Sequence, residues 1–116
     1  MNNRADRIRK TMMKEIGDIL LKDIRDSRIK GIVSVTDLEL ASDYSFAKVY
    51  ISVFGNDEEK QLSLEALKEK EPHVRYEIGK RIRLRLTPKI EFHLDDSLER
   101  GSRISALIDK ISKGEL

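Results

Sequence analysis

Arginine and lysine are the residues of this chain whose clustering could do chemistry. The stretch RYEIGKRIRLRLTPKIEF, residues 75–92, holds Arg75, Lys80, Arg81, Arg83, Arg85 and Lys89 against two acids, Glu77 and Glu91. A second group, Arg4, Arg7, Arg9 and Lys10, lies near the N-terminus. A guanidinium is a planar fork that binds two phosphate oxygens at once, so clustered arginines form a phosphate-binding chemistry. Solvated helix faces and, for residues 75–92, a membrane-facing amphipathic segment are the competing readings. The membrane reading fails because the segment has too many apolar positions to bury in a core and lacks a second anchoring signal. Basic residues at a helix N-terminus oppose its dipole, so helix stability does not explain Arg4, Arg7, Arg9 and Lys10. A polyanionic partner does.

Catalytic chemistry has little to build on. Asp95 and Asp96 are adjacent carboxylates, but neighbours leaving a strand point apart, and an N-cap for a following helix accounts for them better. His93 and Asp95 have a metal-like spacing without further ligands at helical or hairpin intervals. His73 follows Pro72 and reads as a surface residue. There is no cysteine, which removes disulfides, thiolate metal sites and a cysteine nucleophile. No glycine-rich phosphate loop is present. The expectation is a protein with no catalytic residues, no metal and no cofactor.

These groups must be carried by one domain, since the chain has 116 residues. Charged residues make up 38%, more than an ordinary domain carries, but the apolar residues recur with helix and strand periods, which argues against disorder. The net charge of +2 hides a segregation. Residues 1–30 carry +4, residues 31–74 carry −5, residues 75–90 carry +5 and residues 91–116 carry −2. The pattern predicts a polarised surface. The longest strictly apolar run, Ile19–Leu20–Leu21, is far too short to cross a bilayer, and MNNRADRIRK lacks the apolar stretch of a signal peptide. A soluble, cytoplasmic protein is expected, with a monomer as the default.

Ala5, Ile8, Met12, Ile16, Ile19, Leu20 and Ile24 recur at intervals that predict an amphipathic helix ending near Asp26–Gly31. IVSVTDLEL (32–40) and FAKVYISVF (46–54) predict an antiparallel pair joined by ASDYS; in the second, Ala47, Val49, Ile51 and Val53 share the buried face. Tyr44, Phe46, Tyr50 and Phe54 could stack bases, but aromatics on an open sheet face are common, and they read as surface residues. Asn56 or Asp57 caps a helix over about 57–70. Pro72 interrupts, so a second helix over about 73–85 follows a kink at Lys70, Glu71 and Pro72. Val74, Ile78, Ile82 and Leu86 form its buried stripe, with Arg85 at the helix end, where the dipole favours positive charge. IEFHL (90–94) is a third strand, which must join the sheet by a helical crossover. Ile104, Leu107, Ile108 and Ile111 mark a final helix. The order α-β-β-α-α-β-α predicts a two-layer α+β domain over 1–111, a three-stranded mixed sheet with helices on one face, and a short tail at 112–116.

That order resembles the type II KH domain, an RNA-binding fold. NRADRIRKTMMKEIGDILLKDIRDSRI, VSVTDLELASDYSFAKVYISVFG and LRLTPKIEFHLDDS, in this sequence and at these intervals, resemble the ribosome-binding factor A family. The resemblance covers all but about the last fifteen residues. It implies a non-catalytic factor that binds the immature small ribosomal subunit, helps its rRNA mature at the 5′ end and supports growth in the cold, with no small-molecule substrate. It also implies that Arg4, Arg7, Arg9, Lys10, Arg75, Lys80, Arg81, Arg83, Arg85 and Lys89 meet rRNA. The family replaces the KH glycine loop by an Ala-x-Gly kink, and this chain departs further, with Lys70, Glu71 and Pro72 there. An adaptor that docks on ribosomal proteins through the same fold is the alternative.

Overall fold

The computed structural model describes residues 3–29 and 32–95. The expected final helix and the tail at 112–116 lie outside the described residues.

The first helix, α1, spans Asn3–Lys22. Met12, Ile16 and Ile19, three or four residues apart, are fully buried, and Ile8, Leu20 and Ile24 pack around them. Past its end the chain turns at Asp26, whose Oδ1 accepts the Arg28 N–H at 2.9 Å. The Arg28 guanidinium bonds Asp26 at 2.8 Å and also reaches Glu69, which fixes this turn against a distant helix. That guanidinium holds the Asp26 carboxyl well below its ordinary range.

Strands β1 (Val33–Leu40) and β2 (Phe46–Val53) pair antiparallel. In β1 the core-facing residues are Val33 and Val35, then Leu38 and Leu40, so the alternation skips phase once. One extra residue must therefore be accommodated, and the register shifts between Val35 and Asp37. In β2 Ala47, Val49, Ile51 and Val53 are buried, as their alternation predicts.

Helix α2 spans Asp57–Glu69 and opens on a capping box: Asn56 accepts the Glu59 N–H at 2.8 Å, and Glu59 accepts the Asn56 N–H at 3.1 Å. Helix α3 spans Glu71–Arg81. Lys70 is both the C-cap of α2 and the N-cap of α3, in right-handed geometry (φ −92°, ψ −1°). The kink is therefore a one-residue joint.

Helix α3 ends at Arg81 and not near residue 85. Ile82 is extended (φ −122°, ψ 123°), and residues 82–88 form a loop. Two local features and one longer-range contact accompany the early end of the helix. Ile82-Arg83-Leu84-Arg85-Leu86 alternates with period two as well as placing apolar residues four apart, and Pro88 disfavours helical geometry at Thr87. The Thr87 carbonyl also accepts two bonds from Arg75, at 3.2 and 3.0 Å, which draw the loop back over α3. Gly79 leaves room for that return, since a Cβ there would meet Thr87 Oγ1 at 3.0 Å. Val74 and Ile78 are buried and Ile82 packs on the core, but Leu86 is 72% exposed and leaves the expected stripe. Arg85 accordingly lies in the loop, and the charges at the helix end are Lys80 and Arg81.

Strand β3 (Lys89–Leu94) pairs parallel to β2, giving the sheet order β1-β2-β3. Phe92 and Ile90 complete one core with the helices; each such side chain contributes roughly 1.5–3 kcal/mol by leaving water. The fold is α+β, with a mixed sheet and the order α-β-β-α-α-β expected of a type II KH domain.

Candidate nucleic-acid interface

The structure sorts the ten basic residues by what they touch. Arg9 is committed to the protein: it reaches Asp6 at 3.4 Å and, across to the bulged strand, Asp37 at 3.2 Å. The same Asp37 oxygen accepts the Leu38 N–H at 2.8 Å, so Arg9 anchors α1 on the β-bulge. Lys10 pairs with Asp6 at 3.1 Å. Lys10 first, and Arg9 with it, lower the Asp6 carboxyl below its usual range.

Arg81 is more deeply committed. It lies 2.8 Å from Asp18, 3.1 Å from Glu15 and 3.5 Å from Asp23, and its side chain is only 25% exposed. Three carboxylates from α1 and its C-terminal turn thus close on one guanidinium from α3. Hydrogen bonding to Asp18 and Glu15 raises the Arg81 pKa, while Arg81, followed by Lys22, lowers that of Asp18. Arg75 is tied to the Thr87 carbonyl, and Lys80 lies 3.4 Å from Glu77 and 5.1 Å over the Tyr76 ring.

Arg4, Arg7, Arg83, Arg85 and Lys89 have exposed side chains with no side-chain partner among the described residues. Arg4 of α1 and Arg85 of the 82–88 loop line one cavity of about 380 Å³, together with Tyr44 and Leu86. Lys89 lines a second, more open groove of about 890 Å³ between α3 and the free edge of β3, with Lys68, Arg75, Tyr76 and Lys80. The 82–88 loop borders both: Leu84, Arg85 and Leu86 face the first, Thr87 the second. The two basic clusters therefore meet through this loop. Exposed Tyr76 and Lys68 were not singled out from the sequence; the i, i+4 spacing of Tyr76 and Lys80 was the available signal.

The joint between α2 and α3 carries no anion-binding backbone turn. Lys70 is right-handed, Pro72 has no N–H, and Glu71 accepts the Phe92 N–H at 2.7 Å. Glu71 thereby covers part of the free edge of β3, a site that would otherwise expose an unpaired donor.

Asp23, His73 and Glu77 bring ligand atoms within 4.8 Å of one another and are the one such group among the described residues that could hold a metal. Asp23 already faces Arg81 and Glu77 faces Lys80, so the carboxylates are neutralised by the protein's own cations. His93 lies against Tyr50, ring centroids 5.9 Å apart, and beside Glu91 at 3.8 Å. Phe54 is 83% exposed and Phe46 borders on exposure. No helix among the described residues is long and apolar enough to cross a membrane.

Comparison with known proteins matches this arrangement to one family. The family described as Ribosome-binding factor A matches residues 4–108. A ribosome-binding factor A of Caldanaerobacter subterraneus subsp. tengcongensis is 44% identical over 115 residues, covering 99% of this chain and 94% of that one. The crystal structure of ribosome-binding factor A from Thermus thermophilus superposes with a TM-score of 0.68 at 21% identity, over 77% of this chain and 92% of that one. Coordinates of a homology model of the Thermus thermophilus factor, as fitted into an electron cryo-microscopy map of its 30S complex, give a TM-score of 0.62 at 22% identity, over 73% of this chain and 88% of that one. With the fold, the element order and nearly the whole length in agreement, the chain belongs to the ribosome-binding factor A family.

Proposed function

We propose that this protein is a non-catalytic, RNA-binding assembly factor of the small ribosomal subunit, working in the cytoplasm on the immature particle. It holds small-subunit rRNA by its backbone phosphates while the rRNA matures, including at its 5′ end, and it matters most in the cold. The observation that carries this reading is that Arg4, Arg85 and Lys89, exposed and without a side-chain partner among the described residues, line two cavities bordered by the 82–88 loop, with Arg7 on α1 and Arg83 on the loop likewise unpaired among those residues, while Arg9 and Arg81 are bonded internally. Leaving cations of one sign unpaired along a surface costs self-repulsion, which a polyanion relieves. Family membership and the 30S complex of the Thermus thermophilus factor support the same partner. Arg9 and Arg81, the most internally bonded of the ten, position α1 and α3 relative to one another, and the unpaired five make the contacts.

Binding followed by release requires only that immature and mature particles offer different surfaces, a difference in affinity between two states. The test is co-sedimentation of the full chain with purified immature and mature small subunits across a salt series. With about five phosphates contacted, log K should fall with log salt at a slope of about −3.5 to −4.5, or roughly 100- to 500-fold between 50 and 200 mM. Preference for the immature particle with that slope supports the proposal. A protein adaptor with apolar anchors would bind with little salt dependence, and that result would replace the RNA reading.

A further inference from the structure

Tyr44 is the sole non-glycine residue at positive φ among the described residues, at +62°. The left-handed region is rare for any side chain and a genuine outlier for a bulky one. The hairpin tip holds it there: Tyr44 donates its N–H to Ala41 O at 2.9 Å, and Ala41 donates to Phe46 O at 3.0 Å. Glycine or asparagine would occupy this position without that strain. Strain at a surface turn points to a task for the side chain that holds it. The ring lines the cavity of about 380 Å³ whose walls are Arg4, Ile8, Asp43, Leu84, Arg85 and Leu86.

We infer that this cavity receives one unstacked nucleotide of single-stranded RNA, with Tyr44 as its stacking platform. The inference rests on the RNA-binding reading above and names the form of RNA that this part of the surface takes. Each wall supplies a different part of nucleotide recognition. Arg4 and Arg85, from separate elements and without a side-chain partner among the described residues, line the cavity with charge for the flanking phosphates. Tyr44 and exposed Leu86 offer apolar surface to the base. Asp43, kept ionised by its bonds to Ser45, accepts the Ser45 N–H at 3.0 Å and retains capacity for a further donor. The exocyclic amino group of adenine or cytosine is such a donor, as is the ring N–H of uracil or guanine, so the carboxylate can meet the edge of any base. The volume lies at the lower end for small-molecule sites, enough for one nucleotide and too small for a duplex.

Stability and binding should therefore respond in opposite directions at one residue. Tyr44→Gly relieves the backbone and removes the ring, while Tyr44→Phe keeps both strain and ring. Binding to purified immature small subunits is measured by co-sedimentation, and to fluorescein-labelled hexamers of adenylate, cytidylate and uridylate by anisotropy. Tyr44→Gly is expected to melt at or above the wild-type temperature yet bind particles about five- to a hundredfold more weakly, with Tyr44→Phe close to wild type. All three hexamers should bind, and Tyr44→Gly should weaken each of them while Tyr44→Phe does not. A lower melting temperature with unchanged affinity would make Tyr44 a packing residue and overturn the inference, while leaving the assembly-factor reading in place. Hexamer binding that Tyr44→Gly leaves unchanged would also overturn it. If wild-type protein ignores the particles, the assembly-factor reading falls, and the hexamers still decide whether Tyr44 stacks a base.

Discussion

Replacing Arg83 and Arg85 together by alanine separates the arginines that hold the fold from those proposed to hold RNA. Both side chains are exposed and neither has a side-chain partner among the described residues, so the change should leave stability within about 0.5 kcal/mol. Each lost phosphate contact removes about 0.7 to 0.9 of a counterion from the salt dependence, which at ~0.1 M salt is the same fraction of a decade in affinity. Two contacts thus amount to roughly 25- to 60-fold weaker binding, with a salt slope shallower by about 1.4 to 1.8. Arg81→Ala should behave differently. It leaves Glu15, Asp18 and Asp23 facing one another without their shared cation, so the melting temperature falls, and affinity measured well below it changes little. Co-sedimentation across salt reads the affinity and circular dichroism reads the melting. An unchanged salt slope for the Arg83/Arg85 variant would refute the assignment of contacts. So would Arg81→Ala losing affinity at an unchanged melting temperature.

Two further outcomes follow from the geometry. Glu71→Ala strands the Phe92 N–H at the free edge of β3, which should cost about 1–3 kcal/mol in urea denaturation; Glu71→Gln, whose amide oxygen can still accept, should recover most of it, and equal stability of all three proteins would mean water satisfies that donor. Asp6, Asp18 and Asp26 all titrate below their ordinary value of 3.8, through Lys10, Arg81 and Arg28 respectively, so the stability they add is complete above that pH and is lost as pH falls toward the folded-state values. The melting temperature should be nearly level from pH 7 to 5 and drop below about pH 4, less steeply in Asp26→Asn; an equally steep drop in that variant would remove Asp26 from the cause.

What the sequence disclosed follows the range of the forces involved. The stripe of α1, the alternation of β2 and the cap at Asn56 are local patterns, each set by residues within a few positions, and the structure has them where the spacing put them. The end of α3 was ambiguous because Ile82, Leu84 and Leu86 fit a strand period while Ile82 and Leu86 also fit a helical one. What decided it was Arg75 reaching the Thr87 carbonyl twelve residues on. The bulge in β1 was present as a phase skip from Val35 to Leu38, a signal that only a strict count of alternation reveals. Charge pairing was least legible. The hydrogen-bond partners of Arg81, Asp18 and Glu15, lie 63 and 66 residues away, and Asp37 lies 28 from Arg9, so a run of arginines cannot disclose which members the fold consumes. Asp6, three and four residues before Arg9 and Lys10, was the readable exception.

If RNA is held as proposed, the joint at Lys70 and the Glu71–Pro72 start of α3 decide what kind of grip remains. A glycine turn between two KH helices would offer backbone N–H groups to a phosphate at fixed positions. Here the backbone is right-handed at Lys70, Pro72 contributes no donor, and Glu71 is spent on β3. A carboxylate at that joint also repels a phosphate brought close to it. In the proposed complex the holding then comes from long cationic side chains: Lys89 beside the open groove, Arg4 and Arg85 around the smaller cavity, and Arg7 and Arg83 on the same helix and loop. Such side chains reach phosphates over a range of positions and carry no sequence information, so affinity is broad and salt-sensitive. Sequence discrimination is left to whatever the strained hairpin tip admits. That division would suit the proposed role of recognising an unfinished particle and letting go once its shape changes, because many weak contacts are lost together when the phosphates move out of reach.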